Sequence, residues 1–116
     1  MTADIDLYTI PATATIREAM ERIEANRHRA VVVVDDGRHV LGTVSDGDVR
    51  RAFLHDVMHI SPVTAIMQLN PRVAGEDALS NPAEALKREH VTLLPVVDGE
   101  NRLVDVLLAY EPLIED

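Results

Sequence analysis

An internal duplication is the feature that most constrains how this chain can fold. Glu18–Met20 recurs as Glu84–Leu86, 66 residues later. Val33–Asp35 recurs as Val96–Asp98, 63 residues later. A spacing of this length exceeds the repeat period of solenoid proteins, so it indicates a duplicated α/β unit rather than an array. The second copy is predicted to be three residues shorter between its helix and its strand.

The first copy contains clear signals for a helix and a β-hairpin. Thr15 and Glu18 have the spacing of a capping box, and apolar residues at helical spacing follow as far as Asn26. The run Ala30–Val34 is rich in β-branched residues and continuously apolar, which predicts a strand covered on both faces. After a turn, Val40–Ser45 is predicted to form the second strand of a hairpin.

A helix and a connector are predicted to follow this hairpin. The helix begins at about Asp46 and continues through Phe53. The connector covers residues 54–72, with a short helix predicted over 63–67 between two proline-containing turns. Because the connector has no flexible Gly/Ser stretch, we expect the two halves to pack together.

The second copy is predicted to repeat the order of the first. Asn81 has the position of an N-cap, with Glu84 three residues later, so a helix should begin there. Strands are predicted over 93–98 and 103–108, and a last helix is expected to start near Glu111.

Composition excludes several function classes. Apolar residues make up 47% of the 116 residues, which is enough for a packed core, while the net charge of −9 argues against binding to nucleic acid. No stretch approaches the roughly 20 apolar residues that a membrane span requires, and the acidic N-terminus lacks the pattern of a signal peptide. There is no cysteine, so disulfides and thiolate chemistry are excluded and a cytoplasmic location is expected.

One stretch carries a family resemblance. The sequence Leu41–Asp48, preceded by a helix and a Val-rich strand that ends in aspartate, resembles the cystathionine-β-synthase (CBS) domain. The family pattern is Gly, two mostly apolar residues, Thr or Ser, two variable residues and Asp, which Gly42, Ser45 and Asp48 match. The resemblance implies an α/β (α+β) fold of two pseudo-symmetric β-α-β-β-α units packed sheet to sheet. The units are residues 1–57 and, with the connector, 58–116.

The resemblance also implies a function. CBS pairs are non-catalytic regulatory modules that bind adenine nucleotides such as AMP, ADP or ATP in a cleft between the units, and they commonly form homodimers. The longer string Ser45–Arg51 is similar to CBS pairs attached to sugar nucleotidyltransferases or sugar-phosphate isomerases. Because the chain begins with Met1 and ends after Asp116, we expect a regulatory piece of a nucleotidyltransferase, with a covalently attached catalytic domain and no obligatory cofactor.

The candidate nucleotide site lies where the second strand meets the next helix. Helix N-termini bind phosphate well, and the Ser45 hydroxyl can donate to a phosphate oxygen. The Asp48 carboxylate can accept from the ribose hydroxyls, and Thr43 would face the same cleft if it shares a strand face with Ser45. Arg50 or Arg51 is expected to supply countercharge.

By resemblance, the base would lie against the strand that begins near Ala30.

Two alternatives to nucleotide binding remain open. The pair Ser45 and Asp48 is also an ordinary N-cap with an acid at the third helical position, and capping alone explains both residue types. The whole chain would then be a ligand-free dimerisation module.

The second copy departs from the pattern at its corresponding positions. Leu108 stands in place of Ser45, Glu111 in place of Asp48, and Asp105 in place of Gly42. We therefore expect one competent cleft at most, with the second one weak or empty.

Other polar clusters are interpreted as surface features. His55 and His59 have the spacing of metal ligands on a helix, but no third ligand accompanies them, so no metal site is predicted. Arg27–Arg29 is interpreted as a solvent-exposed segment just after the end of the helix. No nucleophile or acid–base pair indicates catalysis.

Overall fold

The first unit is a three-stranded sheet with two helices on one face. The computed structural model describes residues 4–109. The elements of this unit are β1 (Thr9–Pro11), α1 (Ile16–Asn26), β2 (Ala30–Val34), β3 (Val40–Ser45) and α2 (Asp46–Leu54). The strand order is β1-β2-β3, with β1 parallel and β3 antiparallel to β2. The predicted capping box of Thr15 and Glu18 starts α1, and Asn26 is its last residue, as expected.

The second unit follows a similar plan, with a shorter first strand. Its helix α3 (Pro82–Glu89) begins after the predicted N-cap Asn81 and precedes the antiparallel strands β4 (Leu93–Val97) and β5 (Leu103–Leu108). The strand that corresponds to β1 is reduced to a single parallel bridge between Ala74 and Val96. The last helix predicted near Glu111 lies outside the described residues.

Strand register confirms the duplication. In the first hairpin Ala30 lies opposite Ser45, and in the second hairpin Leu93 lies opposite Leu108, with each residue 63 positions after its counterpart. Both hairpins also have an irregularity at the same place, between Val33 and Val34 and between Val96 and Val97. The two copies are therefore one structural unit repeated in register.

The structure locates the three-residue difference between the copies inside the helix. The N-caps Thr15 and Asn81 are 66 residues apart, whereas the left-handed C-caps Arg27 and His90 are 63 apart. Helix α1 accordingly has 11 residues and α3 has 8. Since an α-helix has 3.6 residues per turn, the second copy lacks about one turn of its helix.

The two sheets pack face to face, as predicted, because their strands bury side chains on both faces. Val31 and Val33 of β2 face the helices, while Val32 faces the other unit. The core between the sheets contains Tyr8, Val32, Val40, Leu93, Val97, Leu103 and Val106. Each fully buried aliphatic side chain in such a core contributes roughly 1.5–3 kcal/mol to folding.

A reciprocal pair of backbone hydrogen bonds joins the two hairpins. Val40 N–H donates to the Asn101 carbonyl at 3.0 Å, and Leu103 N–H donates to the Arg38 carbonyl at 2.8 Å. Arg38 and Asn101 are equivalent positions of the two copies and both have positive φ. The bonds are thus related by the pseudo-two-fold symmetry that the duplication implies.

The connector adds one further pairing to the first sheet. It contains a three-residue 3-10 turn, Val63–Ala65, where the sequence predicts a slightly longer helix over 63–67. Gln68 then pairs with Thr43 at the outer edge of β3 by two backbone hydrogen bonds of 2.8 and 3.2 Å. The connector is therefore bound to the first unit by main-chain contacts.

One interpretation of a surface cluster is wrong. Arg27 and Arg29 are exposed, but His28 between them is only 1% exposed, and its ring meets Tyr8 edge to face at 6.2 Å between centroids. The left-handed backbone of the two arginines reverses the chain direction here and turns the histidine inward.

We predict that Gly42→Ala destabilises the fold through the connector. A Cβ at Gly42 would lie 2.6 Å from the Gln68 carbonyl oxygen, so backbone would have to move. We expect a loss of about 1–3 kcal/mol in the free energy of unfolding, as for other overpacked sites. Gly99→Ala is the matched control, because nothing lies within 4 Å of its added methyl group. Urea unfolding measures both variants, and equal stability of the two would contradict the prediction.

Candidate functional site

The Ser45–Asp48 pair forms a capping box at the start of α2. Asp48 N–H donates to Ser45 Oγ at 3.1 Å, and Ser45 N–H donates to Asp48 Oδ2 at 2.9 Å. The structural alternative of an N-cap with an acid at the third position is thus observed. It does not exclude ligand binding, because the serine hydroxyl that accepts this bond still has a hydrogen of its own to donate.

Three of the predicted site residues share one face of the first sheet. Ser45 lies directly opposite Ala30, and Thr43 lies opposite Val32, in the β2–β3 register. Directly opposed residues project to the same face, and both Val32 and Ala30 pack in the core between the sheets. Thr43, Ser45 and Ala30 therefore face the second unit, as the strand alternation predicts.

Both predicted arginines approach the N-terminus of α2. A Cβ placed on Gly47 would lie 3.4 Å from Arg51 Nη1, 3.6 Å from Arg50 Nη2 and 3.6 Å from Ser45 Oγ. Arg51 also donates to Asp48 Oδ1 at 2.6 Å. Positive charge and the serine hydroxyl therefore converge at the positive end of the helix dipole, which favours a small anion. The Asp46 N–H already donates to the Arg29 carbonyl at 2.9 Å and the Asp48 N–H to Ser45 Oγ, so the anion would be held mainly by side chains and the dipole.

Gln68 is a site residue that the sequence reasoning missed. Its Nε2 donates to Asp48 Oδ1 at 2.9 Å from a position 20 residues along the chain. The sequence contains no motif around Gln68 that would have marked it. The only relevant signal is Gly42, whose lack of a side chain permits the connector backbone to come close to β3.

The Asp48 carboxylate is buried and held in its charged form. Its side chain is 5% exposed. Burial by itself would raise the pKa of this carboxyl, but hydrogen bonds from Gln68, Ser45 and Arg51 outweigh burial and lower the pKa below its ordinary value of 3.8. Asp48 is therefore an anionic acceptor throughout the neutral pH range.

Within residues 4–109, the second copy lacks the serine hydroxyl of this site. Leu108, at the position of Ser45, lies opposite Leu93 and packs against the core between the sheets. Asp105, at the position of Gly42, uses its carboxylate to accept from the next backbone N–H, that of Val106. Glu111 lies outside the described residues. The cleft of this copy is more apolar where the first copy is polar.

A separate groove lies on the helix face of the first unit, away from Thr43 and Ser45. It has a volume of about 460 Å³ and is formed by α1 and α2. Its lining is Met20, Ile23, Glu24, Asp46, Val49, Arg50, Phe53 and Leu54. Met20, Phe53 and Leu54 are 39%, 43% and 75% exposed, so the groove is an apolar patch on the surface.

Neither of the histidines singled out by spacing joins a larger cluster. His55 is the C-cap of α2, and both His55 and His59 are exposed. Among residues 4–109, no group of three or more His, Cys, Asp or Glu side chains is placed to hold a metal ion. Within the same residues, no helix has the length and apolar character needed to cross a membrane.

We predict that Asp48→Asn changes how stability depends on pH. Because folding lowers the pKa of Asp48, its charged form stabilises the fold fully above the unfolded-state pKa of about 3.9. That stabilisation is lost as the pH falls through the lower pKa of the folded state. The difference in unfolding free energy between wild type and Asp48→Asn should thus be constant from pH 7 to 5 and shrink below about pH 4.

Urea unfolding at a series of pH values tests this expectation. The comparison isolates Asp48 because Asp35 and Asp98, whose pKa values are also lowered, are present in both proteins. A stability difference that does not change between pH 5 and 2 would show that the charged form of Asp48 does not stabilise the fold.

The chain is similar to known proteins over one or both of its copies. Residues 1–55 match the model of the CBS domain family. An uncharacterised protein of Helicobacter pylori is 32% identical over 110 residues, covering 93% of this chain and 33% of that protein. The arabinose 5-phosphate isomerase KdsD of Yersinia pestis is 26% identical over 104 residues, covering 84% of this chain and 30% of the isomerase. This chain therefore spans about a third of the length of these curated relatives.

Solved structures extend the likeness to both copies. A CBS domain protein from Pyrobaculum aerophilum, solved in complex with AMP, has a TM-score of 0.71 and 26% identity, covering 90% of this chain and 85% of that one. The family model thus covers the first copy, while the sequence relatives and the solved structure cover both. The comparisons and the fold together show that residues 1–55 match the CBS domain family and that the chain has the fold of a CBS domain pair.

Proposed function

We propose that this chain is a regulatory module that binds an adenine nucleotide between its two units and controls an attached enzyme. The observation that carries the proposal is the junction of β3 and α2, where Ser45 and Asp48 lie beside the face that Thr43 and Ala30 present to the second unit. The similar CBS protein of Pyrobaculum aerophilum, with AMP bound, supports the choice of ligand.

Each part of a nucleotide has a matching group in the first copy. The base would lie against β2 near Ala30, the ribose hydroxyls would donate to Asp48, and the phosphate would meet the N-terminus of α2. Ser45 and the two arginines, Arg50 and Arg51, would supply a hydroxyl and countercharge to that phosphate. The cleft of the second copy, with Leu108 in place of the serine, is proposed to be weak or empty.

Regulation follows from where the ligand would bind. A nucleotide between the units contacts both of them, so it favours whichever relative arrangement binds it better, and the attached domain is biased in turn. The relatives extend well beyond the region they share with this chain, which supports an attached catalytic domain. A sugar nucleotidyltransferase was expected from the sequence, whereas the Yersinia pestis relative supports a sugar-phosphate isomerase as the alternative.

The direct test is nucleotide binding by Ser45→Ala and Asp48→Ala. We expect AMP binding, measured by titration calorimetry and by the rise in melting temperature, to be lost in Asp48→Ala and weakened in Ser45→Ala. A hydrogen bond to a charged group is worth about 1.5–3 kcal/mol, so Ser45→Ala should weaken binding roughly 10- to 150-fold.

The chain contains its own matched controls. Thr15 and Glu18 form a capping box on α1 with nearly the same bond lengths, 3.1 and 3.0 Å, at a distance from the cleft. Thr15→Ala and Glu18→Ala should cost about 1 kcal/mol of stability, as cap losses do, and leave AMP binding unchanged. If AMP, ADP and ATP all fail to bind the wild-type chain, the nucleotide proposal is wrong.

A second function, homodimerisation, is favoured by the groove between α1 and α2. We propose that a second copy of this chain covers the groove. The lining contains the apolar Met20 and Phe53 and charges of both signs, with Glu24 and Asp46 acidic and Arg50 basic. A lining of both signs is self-complementary under two-fold symmetry, because Arg50 of one copy can face Glu24 of the other.

We predict that Phe53→Lys weakens the dimer, because it places a charge in the apolar contact. Leu79→Lys is the matched control, since Leu79 is 41% exposed and Phe53 is 43% exposed, but Leu79 lies in the second unit outside the groove. Sedimentation equilibrium should show a dimer for wild type and Leu79→Lys and a monomer for Phe53→Lys. Equal self-association of all three proteins would rule out this interface.

A further inference from the structure

The Gln68 side chain lies on the face of the sheet where the nucleotide is proposed to bind. Gln68 and Thr43 exchange both of their backbone hydrogen bonds, so they are directly opposed residues of an antiparallel pair. Directly opposed side chains project to the same face. Since Thr43 faces the second unit, Gln68 does so as well, and its amide reaches Asp48 across that face.

The Asp48 carboxylate has almost no acceptor capacity left. A carboxylate offers about four lone-pair positions to donors. Three donors already contact it, from Ser45 N–H, Arg51 Nη2 and Gln68 Nε2. The vicinal diol of a ribose brings two hydroxyl donors. Both hydroxyls can be accepted by Asp48 only if one of the present donors leaves.

Gln68 is the donor that is easiest to displace. The Ser45 N–H belongs to the capping box of α2, and the Arg51 contact is charge-assisted and only 2.6 Å long. The Gln68 amide carries no charge of its own, its contact with Asp48 is 2.9 Å long, and the residue is exposed, so its amide can bond to water instead. All three donors bond to an anion, but only Arg51 brings an opposite charge, so the uncharged and exposed amide is the easier side chain to displace.

We propose that Gln68 occupies the ribose position at Asp48 in the ligand-free chain and is displaced when a nucleotide with a 2′,3′-diol binds. This inference rests on the proposed nucleotide function. It makes Gln68 a residue that tunes affinity for the ribose, and it places the ligand in competition with a contact of the connector that joins the two units.

The test compares AMP with 2′,3′-dideoxy-AMP in wild type and in Gln68→Ala. Removing the competing amide should raise AMP affinity, measured by calorimetry, about 10-fold, which corresponds to the lower end of what one hydrogen bond to a charged group is worth. The dideoxy analogue has no diol to place at Asp48, so its affinity should be the same in both proteins. Leu69→Ala, a neighbouring exposed connector residue, is the control and should leave both affinities unchanged.

The outcomes separate this inference from the proposed function. If wild type binds AMP but Gln68→Ala binds it equally or more weakly, Gln68 does not compete, and the inference is wrong while the nucleotide function stands. If Gln68→Ala gains affinity for both ligands alike, the ribose is not the competing group, and the inference is also wrong. If no protein binds AMP, the proposed function and the inference fail together.

Discussion

The contact between the two sheets is the interaction on which the rest of the structure depends. Neither unit can bury its inward face alone, since β2 and β4 are apolar on both faces and each has helices on only one of them. The reciprocal bonds between Val40 and Asn101 and between Leu103 and Arg38 fix how the units meet. Because these bonds join the hairpin turns, the opposite ends of the strands, with Ala30 and Ser45, lie away from them. The same geometry that closes the core therefore determines where the candidate cleft lies.

Local signals in the sequence predicted most of this fold, and long-range contacts account for what was missed. The capping residues Thr15 and Asn81 and the Val-rich strand β2 each act within a few residues, so their elements were predicted almost to the residue. Gln68 reaches Asp48 across 20 residues of chain, and no local pattern encodes that contact. His28 was expected to be exposed because its sequence neighbours are charged. It is buried because the left-handed backbone on either side of it turns its side chain inward.

The two copies differ at the residues that form the candidate site in the first copy. At the end of its second strand, the first copy keeps Ser45, and the second has Leu108, which packs against the shared core. Gly42 permits the connector to approach the first sheet, while Asp105 in the second copy occupies that space with a side chain. A buried polar group costs free energy unless it is bonded, so an apolar residue at one of two equivalent sites stabilises the pair. The serine hydroxyl is thus present in one copy only, and at the equivalent position of the other copy Leu108 packs instead.

The charges of the candidate site bear on how an acidic chain would bind the phosphate of the proposed nucleotide. With a net charge of −9 and a buried carboxylate at Asp48, the region would repel an anion if it had no local compensation. Arg50 and Arg51 and the N-terminus of α2 supply that compensation within one turn of helix. Screening by salt leaves contacts at this distance largely intact, whereas the repulsion from distant acidic residues falls off within about 8–10 Å at physiological ionic strength. In the proposed function the local arrangement would therefore outweigh the net charge, and binding would be restricted to a small anion that fits this one position.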